Sequence, residues 1–299
     1  MQLLLILGIV CAISVGIISW IVFVIGIRAS SDKEIVFGKG KTGRQVPSFY
    51  DWQDRIREVQ ILTDSGDKLF GYEYRNSVDT HWVICIHGYN GRASNMAPYM
   101  DHFIRQGANV LAVDLRGHGR SGGKYYGLGV LDRDDILKWV QYLKRVSPGS
   151  KVILFGISMG GAAALMAGAC VECGVSGVIS DSAPSDFVSM FRRILGGKLK
   201  LLTVPVISLV SVYTRVLAGY WLQSASALDS IQRISVPVLL IHGTEDGFVP
   251  PVSMDILYDA CRALKEKYLC PNADHTKAFR ENPDYYWEIV ERFLQKCSA

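Results

Sequence analysis

Net charge is nearly absent from this chain. Its 299 residues carry 32 Lys and Arg against 28 Asp and Glu, a formal +4. No basic patch interleaved with aromatics occurs, so nucleic acid is not an expected partner. No repeat of fixed period is present, which excludes solenoids and propellers. A disulfide framework is missing too. The seven cysteines (Cys11, Cys85, Cys170, Cys173, Cys261, Cys270 and Cys297) are odd in number and lack the spacing of a small secreted fold. Cys170 and Cys173 form a lone C-x-x-C in an apolar stretch that reads as helical, and no second ligand pair accompanies it, so neither a metal nor a redox role is expected. With 49% apolar and 20% charged residues, the composition excludes a disordered chain.

Charge is missing altogether from Leu3 to Ile27, a run of 25 positions. About 20 apolar residues cross a bilayer core. A cleaved signal peptide would need a basic start, a shorter apolar core and a small-x-small cleavage site, and none of these is present. Residues 1–27 are therefore expected to be a retained, single-pass transmembrane anchor. Arg28, Lys33, Lys39, Lys41 and Arg44 follow it, which by the positive-inside rule places the rest of the chain in the cytoplasm. Residues 28–56 read as a polar linker.

From residue 57 the pattern changes. "REVQILTDSGDKLFGYEYRN" shows two alternating runs broken by Asp64-Ser65-Gly66-Asp67, a hairpin signal. Strands and helices then alternate. "HWVICIHG" (81–88) is continuously apolar, as a strand covered on both faces should be. "ASNMAPYMDHFIRQG" (93–107) has helical spacing and ends on Gly107. "NVLAVDLRGHG" (109–119) reads as a strand running into a turn. "DRDDILKWVQYLKRV" (132–146) is an amphipathic helix with acids in its first turn and bases in its last. Further strands are expected in "KVILFGIS", "VSGVISDSAP", "VPVLLIHGTED" and "KYLCPNADH", with a helix "PDYYWEIVERFLQK" closing the chain. This is the pattern of an α/β fold, a mostly parallel sheet with helices on both faces. Its chemistry belongs at the edge where the strands end. Residues 185–235 break the alternation. They are too long for an ordinary connection and are apolar and aromatic, so they are expected to form an inserted helical lid.

One strand end stands out. Gly156-Ile157-Ser158-Met159-Gly160 matches G-x-S-x-G between an apolar strand and a small-residue helix. Such a turn lifts a serine Oγ above the sheet edge. A serine nucleophile needs a base, and the base needs an acid to orient it. His275 follows the last strand, and Asp246 follows the strand before it. Asp181 is the rival acid, on an earlier strand. His87, His118 and His242 sit in Gly-rich turns and are expected to be structural.

Four motifs, "IHGYNG" (86–91), "DLRGHGRSGG" (114–123), "GISMGG" (156–161) and "IHGTEDGFVP" (241–250), with His275 after them, resemble the α/β-hydrolases. The similarity covers residues 57–299, and within the superfamily it is to the bacterial esterase- and peptidase-like group with a serine aminopeptidase domain. It implies a Ser158–His275–Asp246 triad and an oxyanion hole built from the backbone N–H groups of Met159 and Tyr89. One departure is Asp274, where the family usually has glycine before the histidine. It is expected to stiffen that loop. The resemblance implies no cofactor and no metal. The expected activity is ester or thioester hydrolysis of a small-molecule acyl substrate, which the apolar lid and the anchor favour as lipophilic, with hydrolysis of a short peptide as the alternative and a non-catalytic binding module as the alternative outside enzymes.

Overall fold

A computed structural model describes residues 1–29, 52–76, 81–196 and 201–298. Lys33, Lys39, Lys41, Arg44 and most of the expected linker lie outside the described residues, as do residues 197–200 of the expected lid.

The chain after the N-terminal helix builds one eight-stranded sheet. Its strands are β1 (Arg57–Leu62), β2 (Lys68–Tyr74), β3 (His81–Ile86), β4 (Asn109–Val113), β5 (Lys151–Ile157), β6 (Val175–Asp181), β7 (Val238–Gly243) and β8 (Lys265–Cys270). The spatial order is β1-β2-β4-β3-β5-β6-β7-β8. β1 and β2 form the expected antiparallel hairpin, and β2 runs antiparallel to β4. From β4 to β8 every neighbouring pair is parallel. The chain steps from β3 outward to β4 and then returns to the other side of β3 with β5. Connections therefore leave in opposite directions at the carboxyl ends of β3 and β5, which opens a crevice there.

Helices cover both faces. α2 (Ala97–Arg105) and α10 (Pro283–Ser298) lie on one side, where Val83, Cys85, Val110, Ile153, Phe155 and Ile179 are buried. α3 (Val130–Val146) and α4 (Met159–Gly168) lie on the other, over Trp82, Ile84, Leu111, Val152 and Leu154. α3 docks through Ile136, Trp139, Val140 and Leu143, a stripe at helical spacing. β3 is buried along all but its first residue, as a strand between two helical layers must be.

Several boundaries differ from those expected. β3 stops at Ile86 and β4 at Val113, because His87 and Asp114 turn away to bond neighbouring loops. The helix expected over 93–107 is a 3-10 turn at Ala93–Met96 followed by α2. A further helix, α8 (Val252–Ala260), connects β7 to β8. The C-x-x-C does not lie in a helix. α4 ends at Gly168, and Cys170 and Cys173 fall in the turn beyond it, where they are paired as a disulfide.

The segment inserted between β6 and β7 holds α5 (Phe187–Gly196), α6 (Thr203–Tyr213) and α7 (Ala227–Ile231). α1 (Gln2–Gly26) is 25 residues, about 37 Å long at 1.5 Å per residue, and contains an 18-residue stretch of mean hydropathy 2.7. Residues 1–13 are exposed. The last turns of α1 are covered on one face only, with Ile21 and Ile25 still exposed. Phe23 and Ile27 are fully buried in the core, and Trp20 and Phe23 pack on the Tyr213 ring at the end of α6. Just past α1, Arg28 pairs with Tyr125 in a β-bridge, and Ala29 N–H donates to Lys124 O at 2.9 Å. The start of the expected linker is thus docked on the domain.

Candidate active site

β5 delivers Ser158 to the crevice. Its backbone is forced to φ 54°, ψ −119°, a region a serine occupies only under strain. The glycines explain how the turn fits. A Cβ on Gly156 would lie 2.2 Å from Gly160 O, and one on Gly160 would lie 2.3 Å from Ile86 O and 2.4 Å from His87 O. β3, the Ser158 turn and α4 therefore interlock backbone against backbone. Gly160→Ala should lower stability by about 3 kcal/mol, because a methyl inserted between two main chains has no flexible side chain to displace. Gly196→Ala meets nothing within 4 Å and should be near neutral. Urea unfolding midpoints of the two variants test this pair, and equal midpoints would refute it.

His275, in the loop after β8, places Nε2 2.9 Å from Ser158 Oγ. Its Nδ1–H donates to Asp246 Oδ2 at 2.7 Å. Asp246 is buried in the loop after β7, and its other oxygen accepts the Phe248 and Val249 N–H groups at 3.0 and 2.8 Å. Burial would raise the carboxyl's pKa, but hydrogen bonds from His242 and His275 and the charge of His275 outweigh it and hold the group well below the usual carboxylate range. Asp246 is therefore a fixed anion at the far end of the imidazole.

The rival acid stands elsewhere. Asp181 Oδ1 accepts from Ser182 Oγ at 2.8 Å, and Oδ2 accepts from Tyr286 Oη at 2.9 Å. Burial raises its pKa above the ordinary value. The structure thus brings Ser158, His275 and Asp246 together and leaves Asp181 bonded to hydroxyls.

His242 has a larger part than the sequence suggested. Its Nε2 is 3.2 Å from Asp246 Oδ2 and 3.0 Å from Val249 O, so a single N–H faces both acceptors and braces the acid loop. The signal was the four-residue spacing to Asp246, read across a strand end. Asp274 behaves differently from the expectation. Its carboxylate accepts from His275 N–H at 2.7 Å, while the left-handed positions in this loop are Asn272 and Thr276. A side chain at 274 therefore meets no backbone penalty.

Gly88, in the loop after β3, approaches the serine so closely that a Cβ there would lie 3.2 Å from Ser158 Cβ. The next residue is Tyr89. Among the described residues, the Tyr89 and Met159 N–H groups have no intramolecular acceptor. Met159 is the first residue of α4, where N–H groups lack partners and the dipole is positive. His87 sets the loop. Its Nδ1–H donates to Gly88 O at 2.7 Å while Nε2 accepts the Leu115 N–H at 3.0 Å. Burial, then the neighbouring His118, keep its pKa well below the ordinary value, so the ring is neutral. His118 is likewise buried, its pKa pushed down to about 4, and stacks on Tyr126.

A cavity of about 420 Å³ opens beside Ser158. Phe187, Met190 and Phe191 of α5 form one side, and Val22, Ile25 and Gly26 of α1 form another. Among the described residues no charged side chain lines it. The arrangement can remove a proton from Ser158 Oγ, hold a negative oxygen near two N–H groups and seat an apolar chain.

The family described as Serine aminopeptidase, S33, matches residues 79–202. The protein YqkD of Bacillus subtilis is 29% identical over 274 residues, covering 91% of this chain and 90% of that protein. YfhR of Salmonella typhi is 30% identical over 234 residues, covering 74% and 72%. Among solved structures, the Pyrococcus furiosus esterase Pf2001 superposes with a TM-score of 0.67 at 26% identity, covering 81% of this chain and 92% of that one. Topology, strand-end residues and relatives agree, and the chain belongs to the α/β-hydrolase superfamily.

Proposed function

We propose that this hydrolase is a membrane-anchored serine hydrolase that cleaves esters or thioesters of lipophilic acyl groups. The observation that carries this reading is the cavity at Ser158, which no charged side chain lines among the described residues. Ser158 Oγ attacks the acyl carbon as its proton passes to His275 Nε2. The Tyr89 and Met159 N–H groups then hold the oxyanion; losing one such donor costs about 2.7–4 kcal/mol. His275 returns the proton to the leaving oxygen or sulfur, which departs and leaves an ester on Ser158. Water, deprotonated by the same Nε2, attacks that ester, and the proton returns to Oγ as the acid leaves. Asp246 keeps the imidazole in the Nδ1–H tautomer throughout. The similarity to an archaeal esterase supports this chemistry.

An aminopeptidase would need a carboxylate to bind the substrate's α-amino group. Among the described residues the cavity offers none, which favours esters. A pure binding module would not need the 2.9 and 2.7 Å contacts along Ser158, His275 and Asp246. α1 supplies the anchor, and the basic residues that follow it support a cytoplasmic catalytic domain, whereas the Cys170–Cys173 disulfide speaks for an oxidising compartment. With purified full-length protein, p-nitrophenyl acyl esters should be cleaved at least about 100-fold faster than aminoacyl arylamides, a difference of about 2.7 kcal/mol in barrier. Faster arylamide cleavage would reverse the assignment.

A further inference from the structure

We infer that α1 is a working wall of the acyl pocket as well as an anchor, and that the substrate is a bilayer-resident lipid ester whose chain reaches Ser158 between α1 and α5. This rests on the hydrolase reading above. Three observations carry it. Val22, Ile25 and Gly26 line the same cavity as Ser158, and a Cβ on Gly26 would lie 2.9 Å from the Phe191 ring, so α1 and α5 nearly touch there. Second, the residues that both line the cavity and face outward mark its mouth. They include Ile25 of α1, 71% exposed, and Ile194 of α5, 59% exposed. The mouth is thus flanked by the very helix that is long and apolar enough to cross a membrane. Third, the outer face of the neighbouring lid continues that apolar surface. Leu201, Val204, Val212 and Val216 are exposed, and no charged residue occurs from Leu201 to Thr214. Such a face beside a bilayer-spanning helix belongs in the same apolar medium. A chain leaving the leaflet would stay in apolar surroundings all the way to the nucleophile.

The same contact reaches the oxyanion loop. Tyr89 Oη donates to Ile25 O at 2.8 Å and lies 3.2 Å from Gly26 O. Burial pushes this phenol up to about 12, so it stays a donor. The end of α1 therefore fixes the residue whose backbone N–H faces the site.

The test uses full-length protein in phosphatidylcholine nanodiscs, with p-nitrophenyl palmitate and p-nitrophenyl butyrate as probes. Val22→Trp and Ile25→Trp should each lower the palmitate-to-butyrate ratio of kcat/KM at least tenfold. Ile13→Trp, on the exposed part of α1 outside the cavity, should keep the wild-type ratio. Wild-type ratios in both pocket variants would overturn the inference, and if one variant does not fold, the other decides. For the source of the chain, a fluorogenic long-chain ester lipid placed in the enzyme's own disc should be cleaved at least tenfold faster than the same lipid in separate vesicles. Equal rates would overturn delivery from the bilayer. A wild-type protein that cleaves neither p-nitrophenyl ester and resists fluorophosphonate would sink the hydrolase reading itself, a result distinct from either.

Discussion

Ser158→Ala should abolish covalent labelling by a fluorophosphonate and reduce ester hydrolysis by about 10⁵–10⁶-fold, the loss typical of removing a serine nucleophile from an intact triad. The fold should survive. Among the described residues Ser158 Oγ bonds only His275, so the substitution leaves no buried donor or acceptor stranded elsewhere. The variant's thermal midpoint should stay within a few degrees of wild type, which separates a lost nucleophile from a lost structure. Labelling of Ser158→Ala at the wild-type level would mean that another group reacts, and the reading of this site would fail.

Asp246→Asn should lower kcat by about 10⁴-fold, the scale seen when a triad acid is replaced by its amide. The local geometry makes the reason specific. Asp246 receives N–H groups on both oxygens: His275 and His242 face Oδ2, and Phe248 and Val249 face Oδ1. An asparagine has one carbonyl oxygen and one NH₂. Whichever way it turns, two donors meet two hydrogens, and His275 loses the Nδ1–H tautomer or the acid loop loses its brace. Asp181→Asn is the discriminating control. Its partners are the Ser182 and Tyr286 hydroxyls, which can reverse direction to accept from an amide. It should change kcat by less than about tenfold, the range left to a residue outside the proton path. If Asp181→Asn were the more damaging of the two, the acid would have to be reassigned.

Much of this arrangement was legible in the residues. The apolar run of β5, the glycines around Ser158 and the small residues opening α4 specify a tight strand-to-helix turn, because only glycine allows the backbones to meet at Gly156 and Gly160. The order Ser158, Asp246, His275 follows from the parallel strands β5, β7 and β8 ending on one edge. Other features leave no such trace. α8 is nine residues of mixed character after two prolines, too short for a period to show. The bracing by His242 crosses from a strand into a loop, where spacing along the chain says little about distance in space. The burial of Phe23 and Ile27 was hidden for a different reason. A helix with no polar face looks the same whether its neighbours are lipid tails or protein side chains, since both are apolar. Tertiary contacts of α1, such as those with Tyr125 and Tyr213, reveal which turns meet protein.

Those contacts also set an order in time. α1 precedes every other described element, yet the surfaces that bury Phe23 are Tyr125, about a hundred residues on, and Tyr213, nearly two hundred on. Closing loops of that length is slow compared with forming neighbouring strands and helices. The sheet through β6 can assemble from contacts nearer in sequence, whereas the end of α1 must wait for α6. Closure of the pocket is therefore expected among the last steps of folding, so the chain acquires an organised Ser158 turn before it acquires a place to put a substrate.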